Sequence, residues 1–135
     1  MRDFFVGGAN DASSVLMEHY RHLHAHPELS YHEEETARYV AQVLGRLNLD
    51  EIKTGVGGHG VTALLAGQSG GPVIGLRADM DALSITETTG CPFASQNPGV
   101  MHACGHDGHT AILLTVAQIL AAHRDKLPGT VKFLF

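Results

Sequence analysis

The sequence is poor in positive charge: lysine and arginine together number nine, fewer than the ten histidines. No stretch gathers the basic clusters that neutralise a phosphate backbone, and the formal charge is −5, so nucleic acid is not an expected partner. Cysteine is scarce too. Cys91 and Cys104 are the only two, and 135 residues can bury a core without disulfide staples, which suits a reducing compartment. Long apolar runs are missing. The longest, Ala111 to Ala122, is interrupted by Thr115 and Gln118 and falls short of the roughly 20 residues needed to span a bilayer, so no membrane partner is expected. Met1 to Gly8 offers three apolar residues where a signal peptide needs a core of about seven to fifteen, and the expected location is the cytoplasm. Charged residues make up 17%, below the roughly 25% usual for soluble domains, yet a hydrophobic share of 44% is globular and argues against disorder. The length is that of one domain and excludes a multidomain machine.

What the chain does contain is organised as helices first and strands after. Ala12 to His26 carries Val15, Leu16, Tyr20 and Leu23 on one helical face and is stopped by Pro27, with Asp11, Ser13 and Ser14 as candidate caps. A second helix is expected from His32 to Leu47, its buried stripe formed by Ala37, Val40, Ala41, Leu44 and Leu47, and Glu33, Glu34 and Glu35 suit its first turn. Three apolar segments of strand length follow: Glu51 to Val56, Val61 to Ala66 and Val73 to Ala78. Gly67 to Pro72 reads as the turn of a hairpin between the last two. Asp79 to Met101 is irregular, and so long a loop is uncommon unless it is functional. A third helix, Gly105 to His123, is apolar at Ile112, Leu113, Val116, Ile119 and Leu120 and should be well buried against a sheet. A final strand begins at Thr130, where Val131, Phe133 and Phe135 alternate with Lys132. It ends without a turn, as expected of a piece of a longer protein. This order of elements points to an α/β layered architecture.

The densest polar cluster is His102 to His109, with three imidazoles, a thiol and a carboxylate in eight residues at the entry to the third helix. Such groups bind soft and borderline metal ions, and a helix N-terminus favours thiolate and neutral imidazole, the ligating forms. The same segment also reads as a plain helix start, with Asp107 as cap, Cys104 in the core and the histidines solvated. The number of donors favours the metal. The spacing matches no zinc-finger pattern, so further ligands must come from elsewhere. Asp79 and Asp81 lie where the strand from Val73 leaves the sheet, the place where α/β folds bind ligands. If the strand continues, the two carboxylates point the same way, one toward a metal-bound group and the other toward a ligand or histidine. The alternative is an aspartate pair in a turn beside Arg77. His22, His24 and His26 fit a last helical turn, satisfying carbonyls, although His24 or His26 could border the site. Glu28 reads as a turn residue, His19, His32, His59 and His123 as isolated surface histidines, and Cys91 as an inert thiol.

His24 to Leu29, Leu76 to Leu83, Pro92 to Ser95 and Asn97 to Thr110 closely resemble, in residues and order, the metal-dependent amidohydrolases. That peptidase-like family includes hippurate hydrolase, N-acyl-amino-acid amidohydrolases, auxin-conjugate hydrolases and N-acetyldiaminopimelate deacetylase. The resemblance covers nearly the whole chain from about Met17, and Asn97 to Thr110 is its most specific part. It implies a three-layer α/β/α zinc-exopeptidase-like catalytic domain with a mixed sheet, of which residues 1–135 are the N-terminal portion. It further implies that Cys104 and His106 are metal ligands in a two-metal site and that Asp79 is the catalytic aspartate with Asp81 as its partner. His102 and His109 belong to the neighbourhood of the site. Ser84 stands where the family usually has proline. The family's glutamate pair, general base and ligand, follows a strand like Thr130 to Phe135, with further histidine ligands, a lid and a dimerisation domain elsewhere in the longer chain.

The expectation is therefore hydrolysis of the amide bond of N-acyl amino acids or related small amides. Two divalent ions, Zn, Mn, Co or Ni, would serve a full-length protein, for which a homo-oligomer is one open assembly, with the fragment itself inactive. The alternatives are a stand-alone His-rich metal-binding or sensing module without catalysis, and an α/β binding domain without metal.

Overall fold

The computed structural model describes residues 7–9 and 12–135. The segment before Gly7 read for a signal peptide, and the candidate cap Asp11, lie outside the described residues. Helix α1 spans Ser13–Ala25 and α2 spans Glu34–Gly45. Strands β1 (Glu51–Val56), β2 (Gly60–Ala66) and β3 (Val73–Arg77) follow, then α3 (His106–Ala122), a 3-10 turn at Arg124–Lys126 and β4 (Thr130–Leu134). Among the described residues no helix is long and apolar enough to cross a membrane.

The strands form one mixed sheet in the order β1-β2-β4-β3. β1 and β2 are the antiparallel hairpin, β4 lies antiparallel to β2, and β3 runs parallel to β4 with α3 as the crossover that parallel strands require. The expected hairpin between β2 and β3 is not formed, because β4 lies between them. Gly67 to Pro72 packs instead against the chain entering β4: the Gly67 N–H donates to the Gly129 carbonyl at 2.8 Å, and the Thr130 N–H to that of Pro72 at 2.9 Å. A Cβ built on Gly71 would stand 1.3 Å from the Pro128 carbonyl oxygen. Glycine here reflects two backbones in contact rather than a tight turn.

β4 alternates as its sequence demands, with Val131 and Phe133 buried and Lys132 exposed, and Phe133 meets Val61, Leu65, Leu44 and Leu114 in one core cluster. α1 packs on α3, while α2 packs on α3, β1 and β2. In α2 the buried residues are Thr36, Val40, Val43 and Leu44, and Ala37, Ala41 and Leu47 lie at the cluster's margin. The expected burial of α3 is incomplete at Ile112, which is exposed together with Val73 and Ile74 of β3. β4 is the only strand paired with β3 among the described residues, which leaves the other edge of β3 unpaired.

Candidate metal centre

The backbone brings the site residues together at the C-terminal end of β3. Pairing continues one residue beyond the strand, with the Ala78 N–H donating to the Leu134 carbonyl. The chain is then clamped on both sides: the Ala82 N–H donates to the Glu28 carbonyl at 2.8 Å, and Leu83 and Met101 exchange both backbone hydrogen bonds. The long irregular loop is thus closed at its neck, and Asp79 and Asp81 are fixed by backbone contacts. Opposite them, Gly105 enters α3 at φ +81°, a left-handed conformation that glycine adopts at little cost, and the helix begins at His106. His106 and His109 lie one turn apart, with ring centroids separated by 5.5 Å.

Asp79, His106 and His109 each offer a donor atom within 4.8 Å of the others. His109 Nδ1 is 3.6 Å from Asp79 Oδ1, and the Arg77 guanidinium lies 3.1 Å from the other carboxylate oxygen. Partial burial pushes the Asp79 carboxyl up, but Arg77 and His106 outweigh it and hold it below its ordinary value. It is an anion, ready to ligate. The Thr110 hydroxyl donates to the Asp79 carbonyl at 2.7 Å. His106 Nδ1 donates to the Asp81 carboxylate at 2.9 Å and meets its backbone carbonyl at 3.0 Å. That contact fixes the tautomer and leaves Nε2 for an ion, the carboxylate–histidine arrangement that metal sites use. The donor set therefore fits a divalent ion of the zinc or manganese type. Beside this group lies an open cleft of about 390 Å³, lined among others by Tyr31, His59, Arg77, Asp79 and Asp81.

Of the residues singled out from sequence, Asp79, Asp81 and His106 meet. Cys104 is exposed and joins neither potential ligand cluster found among the described residues. His109, assigned only to the neighbourhood, stands with the donors; its i, i+3 spacing from His106 was the signal available. His102 is buried and neither ring nitrogen has a hydrogen-bond partner, and burial lowers its pKa, which keeps the ring neutral.

The histidines of α1 and its C-cap divide. His26 follows the last-turn pattern, its Nδ1 donating to the His22 carbonyl at 2.7 Å. His24 does not: it is buried, donating from Nδ1 to Asp107 at 2.6 Å and from Nε2 to Glu87 at 3.2 Å. Burial acts to lower its pKa, but the two carboxylates prevail and raise it. His19 is also buried rather than a surface residue, sharing a hydrogen bond of 2.7 Å with the Tyr39 hydroxyl. Glu28 caps α2 from outside the helix, accepting from the Thr36 N–H and hydroxyl at 2.8 and 2.7 Å.

A mixed sheet that carries aspartates from a strand end to two histidines at a helix N-terminus defines an α/β domain with a candidate metal site. Residues 75–135, just under half of the chain, match the model of peptidase family M20/M25/M40, and the chain is similar to this family. It is 55% identical over 119 residues to an N-acyl-L-amino acid amidohydrolase of Geobacillus stearothermophilus, a match covering 85% of this chain and 31% of that protein. An N-acetyl-L-cysteine deacetylase of Bacillus subtilis is 49% identical over 115 residues, covering 85% and 27%. The solved structure of a Bacillus subtilis dinuclear metal binding peptidase from the M20 family superposes with a TM-score of 0.83 at 42% identity, over 99% of this chain and 35% of that one. The chain thus spans about a third of the length of the relatives it matches, a share of 27–33%.

Proposed function

We propose that the protein is a metal-dependent amidohydrolase that cleaves the amide bond of N-acyl amino acids, and that Asp79, His106 and His109 hold its catalytic metal. The carrying observation is the convergence of these three donors, with Asp81 orienting His106. The names of the relatives supply the substrate class. Cys104, two residues before His106, is proposed as a further donor, and a pair of divalent ions as the cofactor, in keeping with the dinuclear neighbour. Bound there, the ions supply Lewis acidity toward the amide carbonyl and lower the pKa of the attacking water.

The chain's own residues set the stage for that chemistry. Asp79 is kept anionic by Arg77 and His106, Asp81 keeps the His106 proton on Nδ1, and Thr110 pins the backbone at Asp79. Both aspartates are engaged, Asp79 with Arg77 and His109 and Asp81 with His106, which leaves neither well placed as a general base. We therefore assign the base to the remainder of a longer protein and expect residues 1–135 alone to be inactive.

The test is hydrolysis of N-acetyl amino acids by the longer protein carrying this chain, before and after chelation and metal return. Activity that vanishes with chelator, returns with zinc or manganese and falls by about 10³-fold or more in Asp79→Asn supports the reading. Stoichiometric metal with no hydrolysis of any N-acyl amino acid would instead favour a metal-binding module without catalysis. Enzyme-like turnover by residues 1–135 alone would contradict the assignment of the base.

A further inference from the structure

A second group of donors shares no residue with the cluster above. His24 on α1 and Glu87 and Cys91 in the long loop place one donor atom each within 4.8 Å of one another. The His24 and Glu87 side chains are almost fully buried, at 8% and 3% exposed, and Cys91 is half-buried. His24 Nδ1 is held by Asp107 at 2.6 Å, which directs Nε2 toward Glu87 at 3.2 Å, and the Cys91 thiol meets the same Glu87 oxygen at 3.7 Å. The rings of Phe93 and Tyr20 lie 5.5 and 5.6 Å from that of His24, an apolar wall on the site.

We infer that His24, Glu87 and Cys91 form a separate structural site for a thiophilic divalent ion of the zinc class, with Asp107 orienting the histidine ligand. Imidazole, carboxylate and thiolate donors suit zinc or cadmium and discriminate against magnesium and calcium. A carboxylate on the far nitrogen of the histidine is the support such ligands ordinarily have. An entering divalent cation takes the place of any protons on His24 Nε2 and the Cys91 thiol, which leave to solvent, so binding releases protons. Zinc ligand bonds of about 2.0–2.3 Å require the donors to draw somewhat closer, and Cys91 is the least buried of the three. The ion would tie the long loop to α1 and, through Asp107, to the first turn of α3.

The experiment removes the other thiol. In Cys104→Ser, Cys91 is the sole cysteine of residues 1–135, and cadmium titration is followed by thiolate-to-metal charge-transfer absorption and by protection of Cys91 from alkylation. The site predicts a signal that saturates at one cadmium per chain, slower alkylation, and loss of the signal when Cys91→Ser is added. His24→Gln should weaken binding by about tenfold or more. No saturable charge transfer in Cys104→Ser, or unchanged alkylation of Cys91, would show that these residues form a hydrogen-bonded staple only. Should His24→Gln fail to fold, the two cysteine variants decide the question. Hydrolytic activity enters none of these readouts, so failure here leaves the proposed function standing.

Discussion

His24 sits between two carboxylates, and that position makes stability depend on pH in a definite direction. Its pKa is raised above 6.5, so its contribution is complete below that value and is lost as pH rises through the folded value. Glu87 behaves oppositely. The Ser95 N–H and the Thr89 hydroxyl, and then His24, hold its carboxyl at about 2 against an ordinary 4.5. Its contribution is complete above pH 4.5 and is lost as pH falls toward 2. With chelator present, the denaturation midpoint should therefore be highest between about 4.5 and 6.5, and Glu87→Gln should flatten the acid limb. His24→Gln, which leaves Asp107 buried without its charged partner, should cost about 3 kcal/mol near pH 6 in denaturant titration. A midpoint that falls neither below about pH 4.5 nor above about pH 6.5 would refute the staple. The last-turn pattern in sequence describes His26 well and misses His24, because the partners of His24 lie 63 and 83 positions away. Nothing local announces such a contact.

Among the elements, the glycines carry the sharpest prediction. Gly71 faces the Pro128 backbone with no room for a Cβ, so Gly71→Ala should destabilise by about 1–3 kcal/mol. Gly45, in the last turn of α2, has nothing within 4 Å of the built Cβ, and Gly45→Ala should raise stability by about 0.5–1 kcal/mol. Urea midpoints of the two variants would check both signs. The element boundaries were legible because each helix has a 3.6-residue apolar stripe and a stop, and β4 alternates cleanly. The strand order was not. Glycine and proline between β2 and β3 look the same whether the link turns back tightly or passes along another chain, and only the crossover through α3 decides which strand lies between. The exposure of Ile112 was equally hidden, since periodicity shows an apolar face without showing what covers it.

For the whole molecule, the candidate metal centre was partly legible. The motif from His102 to His109 advertised its donors through density, and Asp79 and Asp81 through their place after an apolar strand. Which of those donors converge depends on how the β3 end meets the start of α3, and this brings in His109 and leaves Cys104 exposed. This junction is proposed to hold the divalent ion required for amide hydrolysis. That role is tested most directly by the divalent-metal content, after exhaustive dialysis, of the longer protein carrying this chain and of its His106→Ala variant, in which His24, Glu87 and Cys91 are unchanged. The variant is expected to lose at least one equivalent of metal per chain while keeping its fold by circular dichroism. A folded variant retaining the full metal content would contradict that role.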